Sequence, residues 1–202
     1  MVRLAISVEG QTEERFIKMV LVRHLQARGI YAVPLTLGSG GGHVSLSRIR
    51  KDLNNLANSF DKVTTLYDFY GFHDKKAGES KDSLEHKILE CVAAPLRARI
   101  IPYVQMHEYE GLLFSSPEAI ENNLQQTGLA DWANKILQQF AGNPEKINDS
   151  KETAPSKRLL RETSYIKTVH GPNIAKDIGL IVLRAKCPGF GAWLDILEAL
   201  SQ

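Results

Sequence analysis

Acidic side chains follow each of three short apolar segments of the chain. The segments are rich in β-branched residues, which is typical of buried strands, and they cover residues 4–8, 63–67 and 100–106. The acids at or just beyond their ends are Glu9, Glu13, Asp68, Glu108 and Glu110. Because neighbouring parallel strands lie about 4.8 Å apart, acids at their carboxyl ends can converge on one place.

Converging carboxylates are suited to hard divalent cations. Mg²⁺ takes oxygen ligands and commonly uses only one or two carboxylates per ion. Two such ions can hold the attacking and leaving oxygens of a phosphodiester displacement. Four of the acids also have ordinary explanations: favourable charge at a helix start for Glu13, a turn for Asp68 and exposure to water for Glu108 and Glu110. Glu9 is harder to explain in this way, because a carboxylate that ends an apolar strand must find a partner or reach water. Chance seldom places acids at three strand ends, so together they predict a metal site.

The elements that position these acids alternate between strand and helix. The pattern predicts a first helix with Thr12 as its N-cap and Gly29 at its end, and Pro102 predicts an edge position or a bulge in the fourth strand. The other predicted elements are a strand at 31–35, helices at 45–56 and 83–97, and helices from residue 117 onward with a polar loop at 142–155. This alternation predicts an α/β fold with a mostly parallel central sheet flanked by helices. We interpret residues 1–202 as one domain, with a core at about 1–115 and a helical, basic part at about 116–202.

The basic residues are unevenly distributed along the chain. The 202 residues include 25 Lys or Arg and 23 Asp or Glu, for a formal net charge of +2. Residues 151–186 hold eight basic and three acidic side chains, whereas residues 1–150 have a net charge of −1. This asymmetry suits contact with phosphate beside a metal site, although scattered solvated charges explain it equally well. The residues predicted to contact nucleic acid are Lys151, Lys157, Arg158 and Arg161.

The composition and local motifs exclude several classes of protein. Two cysteines are too few for a disulfide framework, and no Gly-x-Ser-x-Gly motif or P-loop is present. No apolar run approaches the roughly 20 residues that span a bilayer, and the start of the chain lacks the pattern of a signal peptide. We therefore expect a cytoplasmic protein that has no membrane partner.

Four motifs of the chain together resemble a known group of proteins. They are EGQTE at 9–13, YDFYGF at 67–72, HEYEGLLF at 107–114 and ETAPSKR at 152–158. The first resembles the opening motif of Toprim domains, and its second glutamate is most similar to that of the overcoming-lysogenization-defect (OLD) nucleases. As a whole, the chain resembles a bacterial family of small stand-alone Toprim-like proteins of unassigned function.

The resemblance implies a Toprim-like fold and a metal-binding role for the acids. Glu9 and Glu13 would hold one ion, Mg²⁺ or Mn²⁺, which Asp68 would share or bridge. Glu110, with Glu108 as its neighbour, would complete a second metal position.

The resemblance also implies which residues are catalytic and where this chain departs from the group. Glu9 and Asp68 would act with Lys157, which would stabilise charge on the scissile phosphate. Toprim nucleases usually carry a second Asp where this chain has Tyr70. A phenol with a pKa of about 10 is a poor Mg²⁺ ligand, so the choice between one ion and two stays open.

The leading functional hypothesis is a metal-dependent nuclease acting on DNA or RNA. By resemblance it would work with a partner ATPase in defence against phage or other mobile DNA. The alternative is a non-catalytic interaction module that binds an ATPase or nucleic acid, and phosphoryl transfer through Asp68 ranks last. A topoisomerase is excluded because the chain has no room for a domain that presents a nucleophilic tyrosine. The sequence leaves the oligomeric state open.

Overall fold

A parallel β-sheet forms the centre of the protein in a computed structural model, which describes residues 1–38, 44–73, 75–148 and 150–201. The strands of the described residues are β1 (Val2–Val8), β2 (Ile30–Thr36), β3 (Lys62–Asp68), β4 (Ile100–Ile101) and β5 (Val104–Gln105). Their order is β2-β1-β3-β4, and β5 also pairs with β3. Every one of these pairings is parallel, so the predicted α/β fold with a mostly parallel sheet is confirmed.

The register of the sheet brings the carboxyl ends of the strands to one edge. Val8 pairs with Leu66, so β1 and β3 end within two residues of each other. Asp68, the last residue of β3, pairs with Gln105 at the end of β5. The segments that follow β1, β3 and β5 therefore begin side by side.

Helices cover both faces of the sheet. They are α1 (Gln11–Phe16), α2 (Val22–Gln26), α3 (Leu46–Ser59), α4 (Lys81–Cys91), α5 (Pro117–Leu124), α6 (Leu129–Gln139), α7 (Pro155–Glu162), α8 (Lys167–Lys186) and α9 (Pro188–Glu198). A π-helical segment, Ile17–Leu21, joins α1 to α2, and a 3₁₀ segment, Tyr109–Ser115, follows β5. Among the described residues, no helix is both long and apolar enough to cross a membrane.

Alternate residues of the central strand β1 point into two separate apolar clusters. Leu4, Ile6 and Val8 belong to a cluster that also contains side chains of α1, α2, α5, α6, α8 and α9, whereas Ala5 belongs to the cluster under α3 and α4. This alternation follows from the two-residue period of a strand. The helices beyond residue 116 thus share a core with the sheet, which supports the one-domain interpretation; that interpretation stays a prediction.

Hydrogen bonds and ring contacts join the C-terminal helix α9 to the sheet. The indole N–H of Trp193 donates to Thr64 Oγ1 at 2.8 Å, and its ring stacks on Tyr103 with centroids 4.7 Å apart. At the start of α9, the Glu145 carboxylate accepts the backbone N–H groups of Gly189 and Phe190 at 2.7 and 3.0 Å. A carboxylate there satisfies amides at the positive end of the helix.

Several predicted element boundaries differ from the structure, most clearly at the first helix, at the helix predicted for 83–97 and at the fourth strand. The first helix begins at Gln11 with Gly10 as its N-cap, two residues before the predicted N-cap Thr12. The predicted helix at 83–97 ends at Cys91, and a 3₁₀ segment containing Pro95 follows it. Pro102 divides the predicted fourth strand into β4 and β5, because proline has no backbone N–H for the sheet.

Candidate metal centre

The five predicted acids are brought to one end of the sheet by the elements that carry them. Glu9 directly follows β1, and Glu13 lies in the first turn of α1, where it is buried. Asp68 is the last residue of β3. Glu108 and Glu110 lie at the start of the 3₁₀ segment after β5, and Glu110 is only 2% exposed. The predicted convergence of acids from three strand ends is therefore present in the fold.

Backbone N–H groups hold four of these carboxylates in place. Glu13 accepts the N–H of Gly10 at 2.9 Å, and Glu9 accepts the N–H of Asp68 at 3.4 Å. Asp68 accepts the N–H of Tyr109 at 2.8 Å, which links the end of β3 to the 3₁₀ segment.

Glu108 is the fourth acid whose carboxylate accepts a backbone N–H, and it connects the cluster to the basic part of the chain. Its carboxylate accepts the N–H of Ser156 at 2.9 Å, in the first turn of α7. The residue that follows Ser156 is Lys157, so this bond fixes the start of its helix beside the acids.

Gly71 allows the close approach of the Glu9 carboxylate. A Cβ atom at this position would lie 2.8 Å from Glu9 Oε1 and closer still to Oε2, distances that real Cβ contacts do not reach. Any larger residue at this position would displace the Glu9 carboxylate, and the backbone angles of Gly71 do not themselves require glycine. The YDFYGF motif thus contributes both an acid and the space for its neighbour.

Burial and mutual repulsion make these acids hard to ionise. Burial, with the charges of Glu110 and Glu108 adding to it, raises the pKa of Glu9 from its usual 4.5 to about 7. Burial likewise raises the pKa of Glu110 to about 7, against the opposing effect of Lys167. The pKa values of Glu13 and Asp68 are raised for the same reasons, first burial and then neighbouring carboxylates. A cation in the cluster would relieve this repulsion.

Lys167 lies in the cluster, although the sequence analysis assigned it no role there. Its Nζ is 3.2 Å from Glu110 Oε1, and the side chain is 45% exposed. Partial burial opposes ionisation, but the charges of Glu110 and Glu108 outweigh it and raise the pKa of Lys167. In the sequence it is one of eight basic residues in 151–186, and no spacing distinguishes it from the others. Only the packing of α8 against α1 and the 3₁₀ segment brings it to the acids.

The donor set of the cluster fits a divalent cation of the Mg²⁺ type. All five acids offer hard oxygen donors, and they repel one another in a partly buried site. Among the described side chains, the buried hydroxyl of Tyr109, whose ring borders the cluster, has no hydrogen-bond partner. Within the described ranges, no three Asp, Glu, His or Cys side chains are placed so that they could hold a metal ion. Binding an ion would therefore require the carboxylates to move.

Tyr70, at the position where the resemblance to Toprim nucleases predicts a second Asp, is directed to other partners. Its hydroxyl donates a short hydrogen bond to Asn148 Oδ1, and its ring lies 5.5 Å from that of His107. Burial lowers the pKa of His107, which favours its neutral form. Tyr70 thus contacts Asn148 and His107, and its phenol adds no negative charge to the acids.

A family model places the chain in a group defined by sequence. The model described as "Domain of unknown function (DUF4276)" matches residues 8–198. The chain belongs to this family. No curated protein matches the sequence.

Solved structures show what the fold of this DUF4276 member resembles. The C-terminal region of the Burkholderia pseudomallei OLD protein superposes with a TM-score of 0.56 and 15% identity, and the match covers 100% of both chains. The C-terminal region of the Xanthomonas campestris pv. campestris OLD protein gives a TM-score of 0.48 and 17% identity, over 98% of this chain and 95% of the other. At these identities the likeness concerns the fold alone. The predicted relation to OLD proteins within a family of unknown function is confirmed at that level.

The four basic residues predicted to contact nucleic acid have different surroundings in this DUF4276 fold. Lys157 and Arg161 are exposed on α7, where Arg161 Nε is 2.7 Å from Glu162 Oε1. Arg158 is 8% exposed, donates to the Thr153 carbonyl at 2.6 Å and lies over the Phe140 ring. The Lys151 side chain lies outside the described part of the structure. Among the described side chains, α7 therefore presents Lys157 and Arg161 to solvent and directs Arg158 inward.

Proposed function

We propose that the protein is a metal-dependent nuclease that hydrolyses phosphodiesters of DNA or RNA. The observation that carries this proposal is the convergence of five acids from three neighbouring strand ends, beside a helix that exposes Lys157. The likeness of the whole fold to the C-terminal region of an OLD protein supports it. The motifs imply a nuclease that needs a divalent cation, and the carboxylate oxygens of the cluster are donors that suit such a cation.

Within this proposal, Glu9, Glu13 and Asp68 bind Mg²⁺ or Mn²⁺, and Glu108 and Glu110 complete the centre. A bound ion would activate water and polarise the phosphate. Glu9 and Asp68 would take part in catalysis by binding this ion.

The basic residues supply the rest of the proposed phosphate contacts. Lys157 stabilises charge on the scissile phosphate, and Arg161 contacts the backbone of the nucleic acid. Lys151 stays a predicted contact. We give Arg158 a structural part instead, because its guanidinium is already bound inside the protein.

We further propose that the nuclease acts in the cytoplasm with a partner ATPase, in defence against phage or other mobile DNA. The sequence contains no P-loop, so any ATP hydrolysis would come from the partner. The OLD likeness supports this extension only through the fold.

The experiment that tests the activity compares two glutamates of the first motif region. Purified wild type, Glu9→Gln and Glu14→Gln are incubated with plasmid, single-stranded DNA and RNA in Mg²⁺, Mn²⁺ or EDTA. Glu14 is the matched control, because it pairs with Lys18 at 2.5 Å outside the cluster. We expect metal-dependent cleavage that falls at least 100-fold in Glu9→Gln and is kept in Glu14→Gln. Equal cleavage by wild type and Glu9→Gln would refute the proposed centre.

One observation favours the interaction module as a second candidate. Four carboxylates already accept backbone N–H groups, and Glu110 is paired with Lys167, so the cluster is satisfied to a large extent by the protein itself. A structural cluster of this kind would bind no Mn²⁺. Nucleic-acid binding would then be lost on Lys157→Glu and unchanged in Glu9→Gln.

A further inference from the structure

A positive charge of the protein lies inside its cluster of acids. Lys167 forms an ion pair with Glu110 at 3.2 Å, and Glu110 is almost wholly buried. The same ammonium interacts electrostatically with Glu9, Glu108 and Asp68. Its direct contact is with Glu110, and its charge also acts on acids from the other two strand ends.

The fold fixes the position of this lysine. Lys167 is the first residue of α8, and the next residue, Thr168, accepts a hydrogen bond from Arg15 Nη1 at 2.5 Å through its carbonyl. Tyr165, two residues earlier, is buried, and a Cβ atom at Gly171 would lie 2.7 Å from its hydroxyl. The start of α8 is therefore held by a hydrogen bond to α1 and by the packing of Tyr165 against Gly171. These contacts keep the ammonium near the acids.

The ion pair divides the acids into two groups. Glu110 already has a cation as its direct partner, whereas the other acids accept only backbone N–H groups in the bonds described above; these are Glu9, Glu13, Asp68 and Glu108. A divalent ion on Glu110 would lie next to the ammonium, and the two positive charges would repel each other. An ion on Glu9, Glu13 and Asp68 would have no ammonium in direct contact with its ligands.

We propose that the Lys167 ammonium takes the place of a second divalent ion, so that the centre binds a single Mg²⁺ or Mn²⁺ at Glu9, Glu13 and Asp68. The inference rests on the proposed function, since it assumes that the acids bind metal. Tyr70 is consistent with it, because the phenol adds no negative charge that a second ion would need. The phosphate of a substrate would then face one metal ion and one ammonium.

The number of bound ions tests this inference without any measurement of cleavage. Isothermal titration calorimetry with MnCl₂ is carried out on the full chain for wild type, Lys167→Met and Lys176→Met. Lys176→Met is the matched control, because Lys176 is exposed on the same helix and lies outside the acid cluster. We expect one ion in wild type, two in Lys167→Met and one in the control. Electron paramagnetic resonance should show isolated Mn²⁺ in wild type and a coupled pair in Lys167→Met, because two-metal sites hold their ions about 3.5–4 Å apart.

The other outcomes separate this inference from the proposed function. Two ions in wild type, or one in Lys167→Met, would overturn the inference and leave the metal-dependent function standing. No ion in any variant would overturn both. Lys167→Arg keeps the positive charge and should bind one ion, and circular dichroism confirms that each variant is folded. Two ions bound to Lys167→Arg would show that the position depends on the lysine geometry and would also overturn the proposed role of its charge.

Discussion

Removing the charge of Glu9 should stabilise the metal-free protein at alkaline pH. The pKa of Glu9 is raised from 4.5 to about 7, chiefly by burial. Each pH unit between these two values corresponds to about 1.4 kcal/mol, so the ionised Glu9 costs the fold up to about 3 kcal/mol above pH 7. Glu9→Gln keeps the side-chain shape and an oxygen to accept the Asp68 N–H, so most of this cost should disappear.

The direction of the pH dependence follows from proton linkage. Between pH 4.5 and 7 the folded protein holds a proton on Glu9 that the unfolded chain has released. The free energy of unfolding of wild type therefore falls as pH rises through this window, and levels off above it. Glu9→Gln has no such proton, so its advantage over wild type should be near zero at pH 4.5 and about 1–3 kcal/mol at pH 8.

Urea unfolding in EDTA at pH 4.5, 6, 7 and 8 measures this difference, with Glu14→Gln as the control variant. Taking the difference between variants at each pH cancels groups that titrate in both proteins. Saturating Mn²⁺ should reverse the order at pH 8, since an ion that binds only the folded wild type stabilises it. A Glu9→Gln variant that is less stable than wild type at pH 8 in EDTA would refute the assignment of Glu9 as a buried, repelled carboxylate.

Three further substitutions test the contacts that hold the centre and the fold together. Gly71→Ala should push the Glu9 carboxylate from its place and weaken Mn²⁺ affinity about 10-fold or more by calorimetry; unchanged affinity would contradict the close contact. Glu145→Ala should lower the free energy of unfolding by about 1–2 kcal/mol in urea, because α9 loses its cap, whereas the exposed neighbour Lys146→Ala should not. Trp193→Phe should cost about 2–3 kcal/mol, since it removes a buried hydrogen bond and part of the stacked ring, and a loss below 0.5 kcal/mol would show that the indole contributes little.

The fold and the five acids could be predicted because their signals are local. Three apolar runs that end in carboxylates report strand ends directly, and the alternation of strand and helix predicts parallel pairing. Element boundaries are predicted less accurately near proline, as at the end of α4 before Pro95 and in the strand that Pro102 divides. At those positions the missing N–H and the restricted backbone outweighed the apolar pattern.

Lys167 and Gly71 could not be predicted because their roles depend on contacts far apart in sequence. Lys167 meets Glu110 from 57 residues away, and Gly71 meets Glu9 from 62 residues away. The sequence does not distinguish Lys167 from the other basic residues of 151–186. It predicts a nucleic-acid contact for Arg158 instead, whose side chain is buried in the structure. Which of several lysines or arginines reaches a site is decided by the packing of the helices that carry them.

The cluster of acids lowers the stability of the metal-free fold at neutral pH, and the partners of each acid indicate why the cluster is kept. Burial raises the pKa of Glu9, Glu13, Asp68 and Glu110, so ionising them at neutral pH lowers stability. A purely structural cluster could avoid this cost with amides, which would accept the same N–H groups. The fold instead keeps the carboxylates, adds one ammonium on Glu110 and leaves Glu9, Glu13 and Asp68 without a direct cationic partner in the described contacts. Sites that lose stability in this way are typical of functional centres, which supports the proposal that a single divalent ion is the missing partner.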